Sequence, residues 1–125
     1  MKAQPNFWIL YVDSLKTSRE FYASLLEREP VQASPAFVLF ALEAGLMLGL
    51  WSRPTVEPAA NGAIGGSEIA IPVEAPAAVD QTCAAWQARG IKIAQAPTEM
   101  DFGRTFVGLD PDGHRLRVFA PAPQQ

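Results

Sequence analysis

The chain has 125 residues, the size of one domain, so two independent domains are ruled out. Ten Lys and Arg against thirteen Asp and Glu give a formal charge of -3, without the basic footprint of a phosphate-backbone binder, and no nucleic-acid partner is expected. The 49% apolar and 18% charged residues are the balance of a globular chain that buries one core.

One cysteine, Cys83, closes no intrachain disulfide, and the residues before Phe7 have neither a basic nor a long apolar leader segment. The most apolar stretch, Ala36 to Trp51, is broken by Glu43 and Gly45 and falls short of the roughly 20 residues of a membrane span. A reduced, cytoplasmic protein with no membrane partner is expected.

In chain order, Phe7 to Val12 (FWILYV) has the β-branched and aromatic content of a strand, and Asp13-Ser14 supplies a helix cap. Leu15, Tyr22, Leu25 and Leu26 then recur at helical spacing through Leu15 to Glu27, opposite Lys16, Arg19 and Glu20. Pro30 ends this segment, and Val31 to Gln32, Phe37 to Leu42 and Leu46 to Trp51 read as three strands. After a Pro, Gly and Asn-rich linker, Ser52 to Gly66, the order returns. Ser67 to Val73 is strand-like, Pro76 sits near a helix start, and Val79, Cys83 and Trp86 form one helical stripe ended by Gly90. Ile91 to Ala96, Arg104 to Leu109 and Arg115 to Phe119 supply three more strands. Asp13 superposes on Glu74, Tyr22 on Cys83 and Leu25 on Trp86 at an offset of 61 residues. The predicted fold is α+β: two βαβββ modules, about 5–52 and 67–121, joined by a linker at 53–66.

Few residues carry chemistry. Asp110-Pro111-Asp112-Gly113 reads as a tight turn between antiparallel strands, not as a metal or acid/base pair. The single histidine, His114, follows it as an exposed strand residue. Cys83 and Trp86 belong to the apolar stripe of the second helix and read as core, and Asn61 to Gly66 reads as plain loop, because no βα turn precedes it.

Three segments together carry a resemblance: Leu10-Tyr11-Val12-Asp13 with Ser18 and Phe21-Tyr22, then Ser67 to Ile71, then Asp110 to His114. They resemble the glyoxalase/bleomycin resistance/extradiol dioxygenase, or vicinal oxygen chelate, superfamily. Glu29-Pro30-Val31, Leu50-Trp51-Ser52 and Phe102 to Phe106 are similar to its phenazine-resistance members. The resemblance implies sheets curled into a cup, completed in a homodimer, with a ligand inside. It also implies four metal-ligand positions, which fall on Asn6, Leu48 or its neighbours, Glu68 and Arg117. Asn, a hydrophobe, Glu and Arg do not make a divalent site, so no metal and no other cofactor is expected. A direct Glu68–Arg117 salt bridge is expected in its place.

The period of two puts Arg115, Arg117 and Phe119 on one side of the last strand, facing the cup if Leu116 and Val118 pack on the helices. Trp51, at a strand end before Ser-Arg-Pro, reads either as a ligand-stacking platform or as a cap on the core. Trp8 has no assigned side. Phe37, Phe40, Met100 and Phe102 are candidate walls, Arg104 is a candidate polar contact, and Leu48, Glu68 and Arg117 are further candidate ligand contacts. The leading expectation is a noncatalytic protein that sequesters a planar aromatic small molecule such as a phenazine-type antibiotic. The alternatives are a metal-dependent lyase or dioxygenase of the same superfamily, a metal-free transformer of the aromatic, and a purely structural dimer module.

Overall fold

The computed structural model describes Lys2 and residues 4–122. The chain divides between Gly62 and Ala63 into two units, and each is one βαβββ module with a four-stranded mixed sheet. Among the described residues, no helix is long and apolar enough to cross a membrane.

Unit 1 holds β1 (Phe7–Val12), α1 (Leu15–Leu26), β2 (Gln32–Ala33), β3 (Phe37–Ala41) and β4 (Met47–Ser52). Its strand order is β1-β4-β3-β2, with β1 parallel to β4 and the other pairs antiparallel. The Ser14 side chain caps α1 by accepting the Thr17 N–H at 3.2 Å. Of the predicted stripe, Tyr22 is fully buried; Leu15, Leu25 and Leu26 are half-buried, and Ser18 is the other buried position. Below the helix, Val12, Val38, Phe40, Leu48 and Leu50 form the core, and Val56 of the predicted linker joins it.

Unit 2 holds β5 (Glu68–Pro72), α2 (Pro76–Ala88), β6 (Ile93–Met100), β7 (Gly103–Leu109) and β8 (Arg115–Pro121), ordered β5-β8-β7-β6. Pro76 starts α2 without a side-chain cap. Val79, Cys83 and Trp86 are its buried stripe, as the spacing predicts. Trp86 meets Phe106 edge-on at 5.1 Å and lies over Gly108, where an added Cβ would come within 2.7 Å of the indole. Gly108 is therefore what lets the helix carry a tryptophan at this point. The predicted strand ending at Ala96 runs on to Met100: β6 is the outer strand of its sheet, where Pro97 interrupts the ladder at little cost.

Candidate ligand-binding face

Within unit 1 the pairing fixes which side chains share the face opposite α1. In register across β1, β4 and β3 lie Phe7, Met47 and Ala41; then Ile9, Gly49 and Leu39, with Gln32 of β2; then Tyr11, Trp51 and Phe37. None of these side chains is charged. Gly49 stands at the centre, and an added Cβ there would meet the Phe37 ring at 2.6 Å and the Phe7 ring at 3.0 Å. The glycine thus makes the space that these two rings, 6.4 Å apart between centroids, fill. Trp51 is half-buried between Tyr11 and Phe37; each ring centroid is 6.2 Å from it, with interplanar angles of 79° and 77°. Edge-to-face packing of this kind is a favoured aromatic arrangement that fixes the indole, and part of the ring stays accessible. A cleft of about 370 Å³ opens beside Phe37, lined also by Gln32, Ala33 and Ser34.

Within unit 2 the corresponding face is polar. Arg117 donates from Nε and Nη2 to the two carboxylate oxygens of Glu68, at 2.8 and 3.0 Å, and from Nη1 to Gln95 Oε1 and Thr105 Oγ1, both at 3.2 Å. This is the expected salt bridge, in the two-pronged geometry that best offsets desolvation. Arg115 approaches the same carboxylate at 3.6 Å. The hydrogen bond from Arg117 holds the Glu68 carboxyl below the usual carboxylate range; burial opposes this, and the charges of Arg117 and Arg115 reinforce it. Phe102 lies under the Arg117 guanidinium at 5.7 Å and meets Phe119 edge-on, while Met100 and Phe102 are both exposed.

Three expected ligand contacts are corrected. Phe40 and Leu48 are directly paired on the α1 side of the sheet and buried at 0% and 4% exposure, so both are core. Their apolar character hid which side they face, since strands covered on one side only by a helix still read as continuous apolar runs. Arg104 pairs in register with buried Ala120 on the α2 side, where its guanidinium is taken by Asp80, at 2.9 Å, and by Glu99, at 3.2 Å. It ties helix to sheet. His114 is not an exposed strand residue: it precedes β8 half-buried, with Nδ1 2.8 Å from Asp110 Oδ2.

Asp110, Asp112 and His114 are close enough to be considered as ligands, with ligating atoms within 4.8 Å of one another. The buried Asp110 carboxylate, however, accepts the Asp112 and His114 N–H groups at 2.9 and 2.8 Å and faces the imidazole, which organises the turn itself. The four positions implied by the family fit a metal no better. Arg117 offers no lone pair, and both oxygens of Glu68 are spent on it. Asn6 precedes β1, and Leu48 points into the core.

Residues 4–118 match the Glyoxalase/Bleomycin resistance protein/Dioxygenase superfamily, and the chain belongs to it. Over 117 residues it is 33% identical to the phenazine antibiotic resistance protein EhpR of Enterobacter agglomerans, covering 91% of this chain and 89% of that protein. A protein of Agrobacterium tumefaciens, known from a solution NMR structure, is 52% identical with a TM-score of 0.90, covering 98% of this chain and all of that one. A glyoxalase-related enzyme from Fulvimarina pelagi shares the fold at 21% identity, with a TM-score of 0.80 over 94% of this chain and 87% of its own.

The sequence reading left Phe7, Tyr11 and Gly49 unassigned. Their signal was the alternation Phe7, Ile9, Tyr11 along the first strand, the same period of two that separated Arg115 and Arg117 from Leu116 and Val118.

Proposed function

We propose that this chain binds and sequesters a planar aromatic small molecule of the phenazine type, conferring resistance to it, without transforming it. The observation that carries this reading is Trp51, held edge-on by Tyr11 and Phe37 on a sheet face without a charged side chain. The 33% identity to a phenazine antibiotic resistance protein supports the ligand class.

A homodimer is part of the proposal. β1 is an outer strand of its sheet, and Phe7, Trp8 and Ile9 on it are 41%, 49% and 43% exposed. An apolar strand edge of this kind invites pairing with another chain unless it is covered. Native mass spectrometry of the purified protein reports the assembly directly and is expected to give twice the chain mass.

Titration calorimetry with phenazine tests the site. Trp51→Ala is expected to weaken binding at least about tenfold, equivalent to about 1.4 kcal/mol, with an unchanged thermal melt. Stacking adds about 0.5 to 1.5 kcal/mol beyond area burial, and the lost indole takes buried area with it. Unchanged affinity in the folded variant, or no binding by the unaltered protein, overturns the proposal.

A further inference from the structure

Tyr11 and Phe37 flank Trp51 in register from the two neighbouring strands, each at nearly right angles to the indole, so a flat ring system stacked on the indole has one of them on either side. The walls differ chemically. Phe37 presents only C–H edges, whereas Tyr11 ends in a hydroxyl, is 38% exposed, and has no hydrogen bond to its side chain among the described residues.

Little else in this part of the face is polar. Phe7, Ile9, Leu39, Ala41, Met47 and Gly49 bring neither a charge nor a strong hydrogen-bonding side chain. The indole N–H lies in the plane of its own ring and cannot reach a ring stacked on that plane. Gln32, at the cleft beside Phe37, belongs to a different row and to β2, two strands from Trp51, or about 10 Å at the usual strand spacing, and lies on the side of the indole away from Tyr11. A ligand that covers the face strips water from the Tyr11 hydroxyl, and leaving that group unpaired counts against binding.

We infer that Tyr11 is the specificity-determining residue of this face: its hydroxyl donates to an in-plane acceptor at the edge of the stacked ligand. The acceptor is a ring nitrogen or a carbonyl oxygen, so the face favours aza-aromatics and quinones over hydrocarbons of the same outline. The inference rests on the stacking role proposed for Trp51.

Phenazine and anthracene share one three-ring outline, and only phenazine has in-plane nitrogen lone pairs. Both are titrated by tryptophan fluorescence quenching against the unaltered protein and Tyr11→Phe, which keeps the wall and removes the hydroxyl. Because anthracene is the more hydrophobic probe, the decisive quantity is the change each affinity undergoes on substitution. The expected result is a loss of about threefold to tenfold for phenazine, the range of one neutral hydrogen bond, with anthracene unchanged or tighter. Equal losses for both probes, or a phenazine affinity unaltered by the substitution, overturn the role of Tyr11 and leave the stacking reading standing. Binding of neither probe by the unaltered protein overturns both.

Discussion

Gly49 stands at the centre of the sheet face opposite the helix in unit 1, and Arg117 takes the same place in unit 2. In register, Ile9, Gly49, Leu39 and Gln32 correspond to Ala70, Arg117, Val107 and Gln95. One row along, Tyr11, Trp51 and Phe37 correspond to Pro72, Phe119 and Thr105. The backbone pattern is shared and the chemistry is not. A glycine at the centre lets rings from neighbouring rows lie across the sheet, giving an uncharged aromatic surface. An arginine there fills the place itself and needs a counter-charge, which Glu68 supplies from the outer strand while Gln95 and Thr105 take the remaining donors. The central residue decides whether a face made from this pattern stacks or ion-pairs.

The comparison holds only if the helix sides of both sheets are plain core, and the largest expected effect tests that. Trp86→Ala removes a side chain that is 5% exposed and packed over Gly108, and is expected to cost about 3 to 5 kcal/mol of stability. Phenazine affinity should persist while the variant stays folded. Denaturant unfolding measures the first and calorimetry the second; a cost near zero would remove Trp86 from the core.

Breaking the charged centre should cost less. Glu68→Gln leaves Arg115 and Arg117 facing each other without their shared carboxylate, and with the pair partly open to solvent the expected loss is about 2 kcal/mol. Glu68→Gln combined with Arg117→Met should cost less than Glu68→Gln alone, because no uncompensated central guanidinium remains. Additive losses in a double-mutant cycle would show that the pair is not coupled. The acid limb gives an independent reading. Glu68 has a lower pKa folded than unfolded, so its contribution is complete above the ordinary carboxylate range and is lost as pH falls through the lowered folded value. The stability difference between the unaltered protein and Glu68→Gln should therefore shrink between pH 5 and pH 2, and a constant difference refutes the assignment.

The smallest effect on stability is expected from the centre of unit 1. Gly49→Ala pushes a methyl against Phe37 and Phe7, but Phe7 is 41% exposed and free to swing away, which limits the cost to about 1 kcal/mol. The displaced rings spoil the surface beside Trp51, so phenazine affinity should fall more than stability does. A melt and a titration on the same sample separate the two, and an unaltered affinity would mean that the rings over Gly49 take no part in binding.

Sequence alone determined the paired βαβββ order, because period-two and helical spacings, Pro and Gly punctuation and the Ser14 cap are local signals. It also brought Glu68 and Arg117 together, since the family resemblance placed them at positions that converge in its metal-binding members, while the alternation along the last strand put Arg117 on one face. What it left open was the side of each apolar strand. Val38, Phe40, Leu48 and Leu50 are as apolar as Phe37, Leu39 and Trp51, so composition did not show that the first set lies under α1 and the second on the opposite face. The same limit misplaced Arg104, whose partner Asp80 comes from α2 and is 24 residues away. Faces, helix–sheet ion pairs and the right-angled packing around Trp51 depend on which strands lie side by side and in what register. Those are long-range choices, made when the helix settles on one side of its sheet.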